Sequence, residues 1–417
     1  MQAGAGKAEL VFPEGFFPTE GFGKICSPLF ARAAVFESEN GRAAILSLEL
    51  TSLPPDEVEA LRGILREETE AQPEAIWVCV THTFSAPHIL PDFALHSEAD
   101  RQNKARLRAL VHTATRLAAQ QAMQMLEPVV LRLGRDICDA NRSRDFETPA
   151  GWWIGCRGAG FSDHTVTVLR ADRPNGVPVL LAVQYGVQSS VLDGVQLPDG
   201  KPVSGDLAGE ACRVLEAQQP GCTVLFLPGA AGDQAPREKA HTAALNAAGA
   251  LTETDLGEAG LDISRTLGAE LAGAAARAAD AAREMPLQDF AAVCKTISLP
   301  AKSITADIHT LKPVRTYLYD PAGEKETTIW LLRIGILVLT GIQPEWNAVT
   351  ARQLAAASPH PNTCAVTLVN GGAKYLPDAD SYRNFTYEAM NSPFAPGSAE
   401  KLRDAILEQL RQMPGRL

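Results

Sequence analysis

Five short apolar runs along this 417-residue chain stop abruptly in loops of polar residues and glycine. Ile76–Val80 leads into Thr81-His82-Thr83-Phe84-Ser85-Ala86-Pro87-His88, and Val177–Tyr185 into Gln188-Ser189-Ser190. Thr223–Leu227 leads into Pro228-Gly229-Ala230-Ala231-Gly232-Asp233-Gln234-Ala235-Pro236-Arg237. Thr327–Leu339 leads into Gly341-Ile342-Gln343-Pro344-Glu345-Trp346, and Ala365–Val369 into Asn370-Gly371-Gly372-Ala373-Lys374-Tyr375. Uninterrupted apolar runs read as strands buried on both faces, the pattern of sheets covered by helices. In open α/β sheets, ligands bind beyond the carboxyl ends of the strands. If the five strands share a direction, their loops bring a His, a Gln, an Asp, a Glu and a Tyr to one edge.

Helical patterns lie between the strands. Prolines and acids at Ser52-Leu53-Pro54-Pro55-Asp56 suit a first helical turn, and Val58, Leu61, Ile64 and Leu65 supply its buried stripe. With Ala43–Glu49 before it and Ile76–Val80 after it, this segment reads as a βαβ unit with a parallel crossover. Lys104–Met125, Leu207–Gln218, Ser264–Arg283 and Ala399–Gln412 read as further helices, with His112 structural. Val129–Leu133 and Thr165–Arg170 are additional strands. Arg173-Pro174-Asn175-Gly176 is a turn that makes a hairpin of the flanking strands, so the sheets are mixed. The expected fold class is α/β: mixed, largely parallel sheets flanked by helices, with an active site at the carboxyl ends of strands. Length alone allows two or three domains, but no linker stands out. The expectation is one large domain over 1–417, with a surface excursion or lid at 238–258.

The net charge of −11 argues against nucleic acid or an anionic membrane surface as the main partner. No apolar run approaches the ~20 residues that span a bilayer, and the first residues lack the apolar core of a signal peptide. The eight cysteines form no CxxC motif, which fits reduced thiols in a cytoplasmic protein. A small-molecule substrate is the expected partner.

His together with carboxylate suits a borderline metal such as zinc, with a position left open for water. Asp233 and Glu345 have a plainer alternative, the capping of helices that follow them. For His82 the plainer alternative is a bond to nearby backbone. Arg142 and Arg237 are candidates for binding an anionic group or an oxyanion, or for structural ion pairs.

In order and spacing, several of these segments resemble the neutral/alkaline, non-lysosomal ceramidase family. Thr81-His82-Thr83-Phe84-Ser85-Ala86-Pro87 is similar to that family's THTHSGP run, and Asn141-Arg142 to its NR element. Gly229–Pro236 is similar to its G-x-x-GD-x-x-P loop. Pro344-Glu345, Tyr375-Leu376-Pro377 and Tyr387-Glu388 match later elements. The resemblance covers most of the chain. It implies an α/β catalytic domain built on zinc, here expected without the family's C-terminal immunoglobulin-like domain.

Carried over by position, the resemblance makes His82, Glu345 and Tyr375 zinc ligands. Gln188 stands where the family has its second histidine ligand, and an amide oxygen is the poorer zinc ligand. Phe84 replaces the second histidine of THTHS, and Ala235 replaces the serine of the GD loop. His88 is the alternative imidazole: a substitute ligand or a catalytic group, with a solvent-facing loop residue as the plainer reading. Asp233 and Arg142 are the other candidate catalytic residues, and Asn141, Arg237, Phe84 and Gly232 the candidate substrate-binding residues. The implied activity is zinc-dependent hydrolysis of a linear amide or related acyl bond, in a smaller N-acylated compound rather than ceramide. The alternative is a non-catalytic relative that binds a small molecule over a degraded metal site.

Overall fold

Strand Gly41–Leu48 shows how the layers arise. Ala44, Leu46 and Leu48 enter one apolar cluster and Ala43 and Ile45 another, so both faces of the strand are covered. Ile76–Val80 repeats the pattern, with Ile76, Val78 and Val80 on one side and Trp77 and Cys79 on the other. Five fully buried side chains in one short strand contribute several kcal/mol of burial, at about 1.5–3 kcal/mol for each large one. A computed structural model describes residues 1–417 apart from 156, 157, 159, 246–250, 305–309 and 414–417.

Three main sheets meet on a common core. The first runs in the order Ile76–Val80, Gly41–Leu48, Phe30–Ser38, Gln2–Glu9, Glu127–Pro128. Helices Pro55–Thr69 and Glu98–Gln124 cover its outer face. The second runs Thr223–Pro228, Pro178–Tyr185, Thr165–Asp172, Val130–Ile137, Arg283–Glu284. Helices Asp206–Gln218 and Ala259–Asp280 cover it. The third runs Phe290–Lys302, Pro321–Ile334, Leu337–Ile342, Thr363–Val366, backed by helices Ala348–Ala357 and Ser398–Gln412. The inner faces share one cluster that includes Phe36, Trp77, Leu180, Leu225, Trp330 and Leu339.

The sheets are mixed as expected, but mostly antiparallel rather than largely parallel, because hairpins join more of the neighbouring strands than helical crossovers do, and the parallel pairs have a definite place. Each main sheet holds one parallel pair, at one edge: Gly41–Leu48 with Ile76–Val80, Pro178–Tyr185 with Thr223–Pro228, and Leu337–Ile342 with Thr363–Val366. The other pairings in these sheets are antiparallel. The three parallel edges are joined to one another. Asn370 donates its backbone N–H to Val78 O at 2.8 Å, and its side chain bonds Val78 N and Ile76 O. Thr367 N donates to Pro228 O at 3.0 Å and Gln184 Nε2 to Ala365 O at 3.0 Å. Exposed parallel edges would leave unpaired backbone groups, and here each edge satisfies its neighbour.

Several expectations shift in detail. The apolar run Thr327–Leu339 is two antiparallel strands, Pro321–Ile334 and Leu337–Ile342, reversed at Gly335 (φ +58°), a conformation glycine adopts without a Cβ penalty. The long helix begins at Glu98 rather than Lys104, because Ser97 and Asp100 form a reciprocal capping box. Within 238–258, His241–Leu245 and Leu251–Asp255 pair as an antiparallel hairpin, and 246–250 lie outside the described residues. His112 bonds Glu57 at 2.9 Å. Cys26, Cys79, Cys138, Cys212, Cys222, Cys294 and Cys364 are free thiols, and Cys156 lies outside the described residues. Among the described residues no separate immunoglobulin-like sandwich is present, and no helix is long and apolar enough to cross a membrane.

Candidate functional site

The loops at the three parallel edges converge. His82 leaves the end of strand Ile76–Val80 in a left-handed backbone conformation, φ +61°. Such conformations cost a non-glycine residue on the order of 1–3 kcal/mol and persist only where the surroundings hold them. The holding bonds are visible here: Thr81 N donates to Leu48 O, Phe84 N to Ser189 O, and the Thr83 hydroxyl to Ser204 O at 2.8 Å. Leu368, Asn370 and Lys374 share the left-handed conformation in the loop that leads to Tyr375.

Glu345 is the hub. His82 Nε2 lies 3.2 Å from its Oε2, and Gln188 Nε2 donates to the same oxygen at 2.7 Å. His82 Nδ1 lies 2.6 Å from the Thr51 carbonyl oxygen. Both imidazole nitrogens therefore face oxygen atoms. Burial acts to raise the Glu345 carboxyl, but the His82 and Arg144 charges outweigh it and leave the group below the usual glutamate range. Glu345 and Tyr375 are register partners in a short parallel pair, so their side chains leave the same face.

Arg144 occupies the middle of this group, and it is not among the residues the sequence singles out. Its Nη1 donates to Gln188 Oε1 at 2.8 Å and its Nε to Glu388 Oε1 at 2.7 Å. Its guanidinium carbon lies 5.1 Å from the centroid of the Tyr375 ring and 5.9 Å from that of Tyr387. Burial alone would lower Arg144; the charges of Tyr375, Glu388 and Glu345 reverse that and raise it well above the ordinary value. Beyond it, Asp145 is pushed well up by burial and by the adjoining carboxyl of Glu388. Asp145 Oδ1 and Glu388 Oε2 are both buried without a hydrogen-bond partner among the described residues. Burial pushes the Tyr375 phenol up too.

Asp233 borders the centre, and no helix follows it directly in the chain. Its Oδ1 accepts the N–H of Ala348, the first residue of helix Ala348–Ala357, so it caps a helix from a different loop. Its backbone oxygen accepts from Arg144 N at 2.9 Å. Burial pushes its carboxyl up to about 7. Gly232 serves close approach: its N–H donates to Trp346 O at 2.8 Å, and a Cβ there would lie 2.9 Å from that oxygen and 3.0 Å from Glu345 O.

Other candidates lie elsewhere. Asn141 is fully buried and clamps backbone, donating to Asp163 O and Gly186 O and bonding the Tyr185 hydroxyl. Arg142 turns outward to Asp139, and Arg237 to Asp139 O and Glu270. His88 faces away from Glu345; its Nδ1 lies 2.6 Å from Glu20 Oε2 and its Nε2 3.2 Å from the Thr51 hydroxyl. It braces the Thr51 segment that holds His82 and is not placed as a substitute ligand. Phe84 packs edge-on to His82, ring centroids 4.8 Å apart. With Ser85, His88, Leu192 and Lys201 it lines a cavity of about 130 Å³. Missed by the sequence reading were Arg144, Asp145 and Thr51. Glu388 was noted within the Tyr387-Glu388 pair but given no role. The one available signal for Arg144 was a second arginine two residues after Arg142.

The donors present do not fit the zinc centre implied by the resemblance. Among the described residues no three His, Cys, Asp or Glu side chains group as metal ligands. Of the four implied ligands, His82 and Glu345 are bonded to each other, Gln188 turns its oxygen to Arg144, and the Tyr375 phenol stands beside that guanidinium. Four-coordinate zinc needs lone pairs converging on one point; here the Gln188 oxygen is turned to Arg144, and the His82 and Glu345 donors face each other.

No family model matches the chain. A search of curated proteins likewise finds no match. Among solved structures, the chain is similar to neutral ceramidase from Pseudomonas aeruginosa, with a TM-score of 0.75 and 17% identity over 99% of this chain and 75% of that one. A structure described as ceramidase complexed with C2 matches with the same figures. At that identity the likeness is one of fold: over 99% of its length, the chain has the fold of neutral ceramidase.

Proposed function

We propose that this protein is a ceramidase-like hydrolase of an amide or related acyl bond in a small N-acylated compound. The observation that carries the reading is the delivery of His82, Gln188, Asp233, Glu345 and Tyr375 to one buried centre by the loops of three parallel edges. A drifted surface has no reason to keep these residue types together. Zinc has no part in the reading, because the donors do not fit it.

The residues present suit acyl transfer to water. Glu345, held as a carboxylate, is the group able to take a proton from an attacking water, with His82 fixed on Thr51 beside it. Arg144 supplies positive charge where an oxyanion develops. Asp233, pushed up to about 7, is able to give a proton to a leaving amine near neutral pH. The seven cysteines among the described residues are free thiols, which supports a reducing, cytoplasmic setting.

One observation favours a second reading, binding without turnover: Gln188 and Glu345 Oε2 spend their hydrogen bonds on other protein groups. A panel of N-acyl amines and N-acyl amino acids separates the two. Release of free amine by the wild type, lost in Glu345→Gln, supports the hydrolase. Thermal stabilisation by a panel compound without amine release supports the binder, and neither result leaves the hydrolase reading overturned.

A further inference from the structure

The buried centre has a cation of its own. Arg144 reaches it from the short segment between strands Asn141–Ser143 and Asp145–Thr148, and is about 7% exposed. It is wired in series to the hub: Arg144 Nη1 donates to Gln188 Oε1, Gln188 Nε2 donates to Glu345 Oε2, and His82 lies against that same oxygen.

The direction of the Gln188 amide is set by chemistry. A guanidinium has only donors and a carboxylate only acceptors. Reversing the amide would set its NH2 against Arg144 and its oxygen against Glu345, losing two hydrogen bonds and creating two repulsive contacts. So the one atom of Gln188 able to ligate a metal is committed to a cation already. The same guanidinium lies close to Tyr375 and pairs with Glu388, so a divalent ion placed among these side chains would meet a fixed positive charge at short range.

We propose that Arg144 is a built-in cation that takes the place of a divalent metal at this centre, orienting Gln188 and Glu345 and excluding zinc. This goes beyond the hydrolase reading and stands whether or not the centre turns over a substrate.

Metal content of the full chain tests it with no activity measurement. The protein is incubated with excess zinc sulfate, desalted and measured by elemental analysis, alongside Arg144→Lys and the double variant Arg144→Ala/Gln188→His. The wild type and Arg144→Lys should carry no stoichiometric zinc. The double variant, which removes the cation and restores an imidazole, should gain about one zinc per chain, lost again on adding His82→Ala. Stoichiometric zinc in the wild type that depends on His82 would overturn the proposal. So would a double variant that keeps the wild-type circular dichroism and still binds none. If the double variant does not fold, the wild-type and Arg144→Lys measurements decide the matter alone.

Discussion

His82 Nε2 lies 3.2 Å from Glu345 Oε2 across 263 residues of chain, in a site where both side chains are nearly excluded from water. The imidazole is fixed at its other nitrogen by the Thr51 carbonyl, so the pair is preorganised rather than assembled on demand. Removing one partner leaves the other buried and under-compensated. A double-mutant cycle with His82→Ala and Glu345→Gln should show a coupling of about 1–3 kcal/mol by urea unfolding. Additive effects would mean the two groups do not interact in solution.

Arg144 and Arg142 differ by two positions and have opposite surroundings. Arg144 compensates a fully buried Glu388, so Arg144→Met should cost about 3–5 kcal/mol. Arg142 pairs with a half-exposed Asp139 at the surface, and Arg142→Ala should change stability by about 1 kcal/mol or less. Denaturant unfolding of the two variants side by side is the measurement. Equal losses would contradict the inward placement of Arg144.

Asp233 makes stability depend on pH in a defined direction. Its folded carboxyl titrates at about 7, while an unfolded aspartate titrates near 3.9. Between those values the folded chain holds a proton that the unfolded chain has released. Stability therefore falls as pH rises through this window and levels off above about 7. Asp233→Asn cannot ionise and keeps an oxygen for Ala348 N. Relative to the wild type, it should be more stable at pH 8 than at pH 5 in chemical denaturation. A pH-independent difference would show that Asp233 is ionised throughout.

Gly232 joins the Asp233 loop to the Glu345 loop by close backbone approach. A methyl group at this position meets backbone oxygens that cannot swing away, so Gly232→Ala should cost about 1–3 kcal/mol through forced separation of the two loops. Gly176→Ala is the control for glycine loss at an open turn, since a Cβ there meets nothing within 4 Å and only the positive φ is strained. The thermal midpoint of each variant reads the difference, and a smaller loss at Gly232 than at Gly176 would contradict the close approach.

The sequence by itself determined the buried strands and the chemical character of their loops. Runs such as Ile76–Val80 and 224–227 are apolar at every position because both faces of their sheets are covered, and that demand is local enough to read. The turn at Arg173–Gly176 and the crossover from Gly41–Leu48 to Ile76–Val80 were legible for the same reason. Tertiary structure decided where the polar side chains point. Arg144 turns inward because Glu388, 244 residues away, and Gln188 receive it there, while Arg142 turns outward to an aspartate three residues back. Gln188 sits where the resemblance placed a histidine ligand, yet its amide is oriented by a guanidinium that no local pattern announces. His88, close to His82 in sequence, is drawn off by Glu20 from another loop. Backbone pattern is set by burial, which each residue type signals for itself. The direction of a buried charge is set by its partner, and here the partners are brought together only when three sheet edges meet.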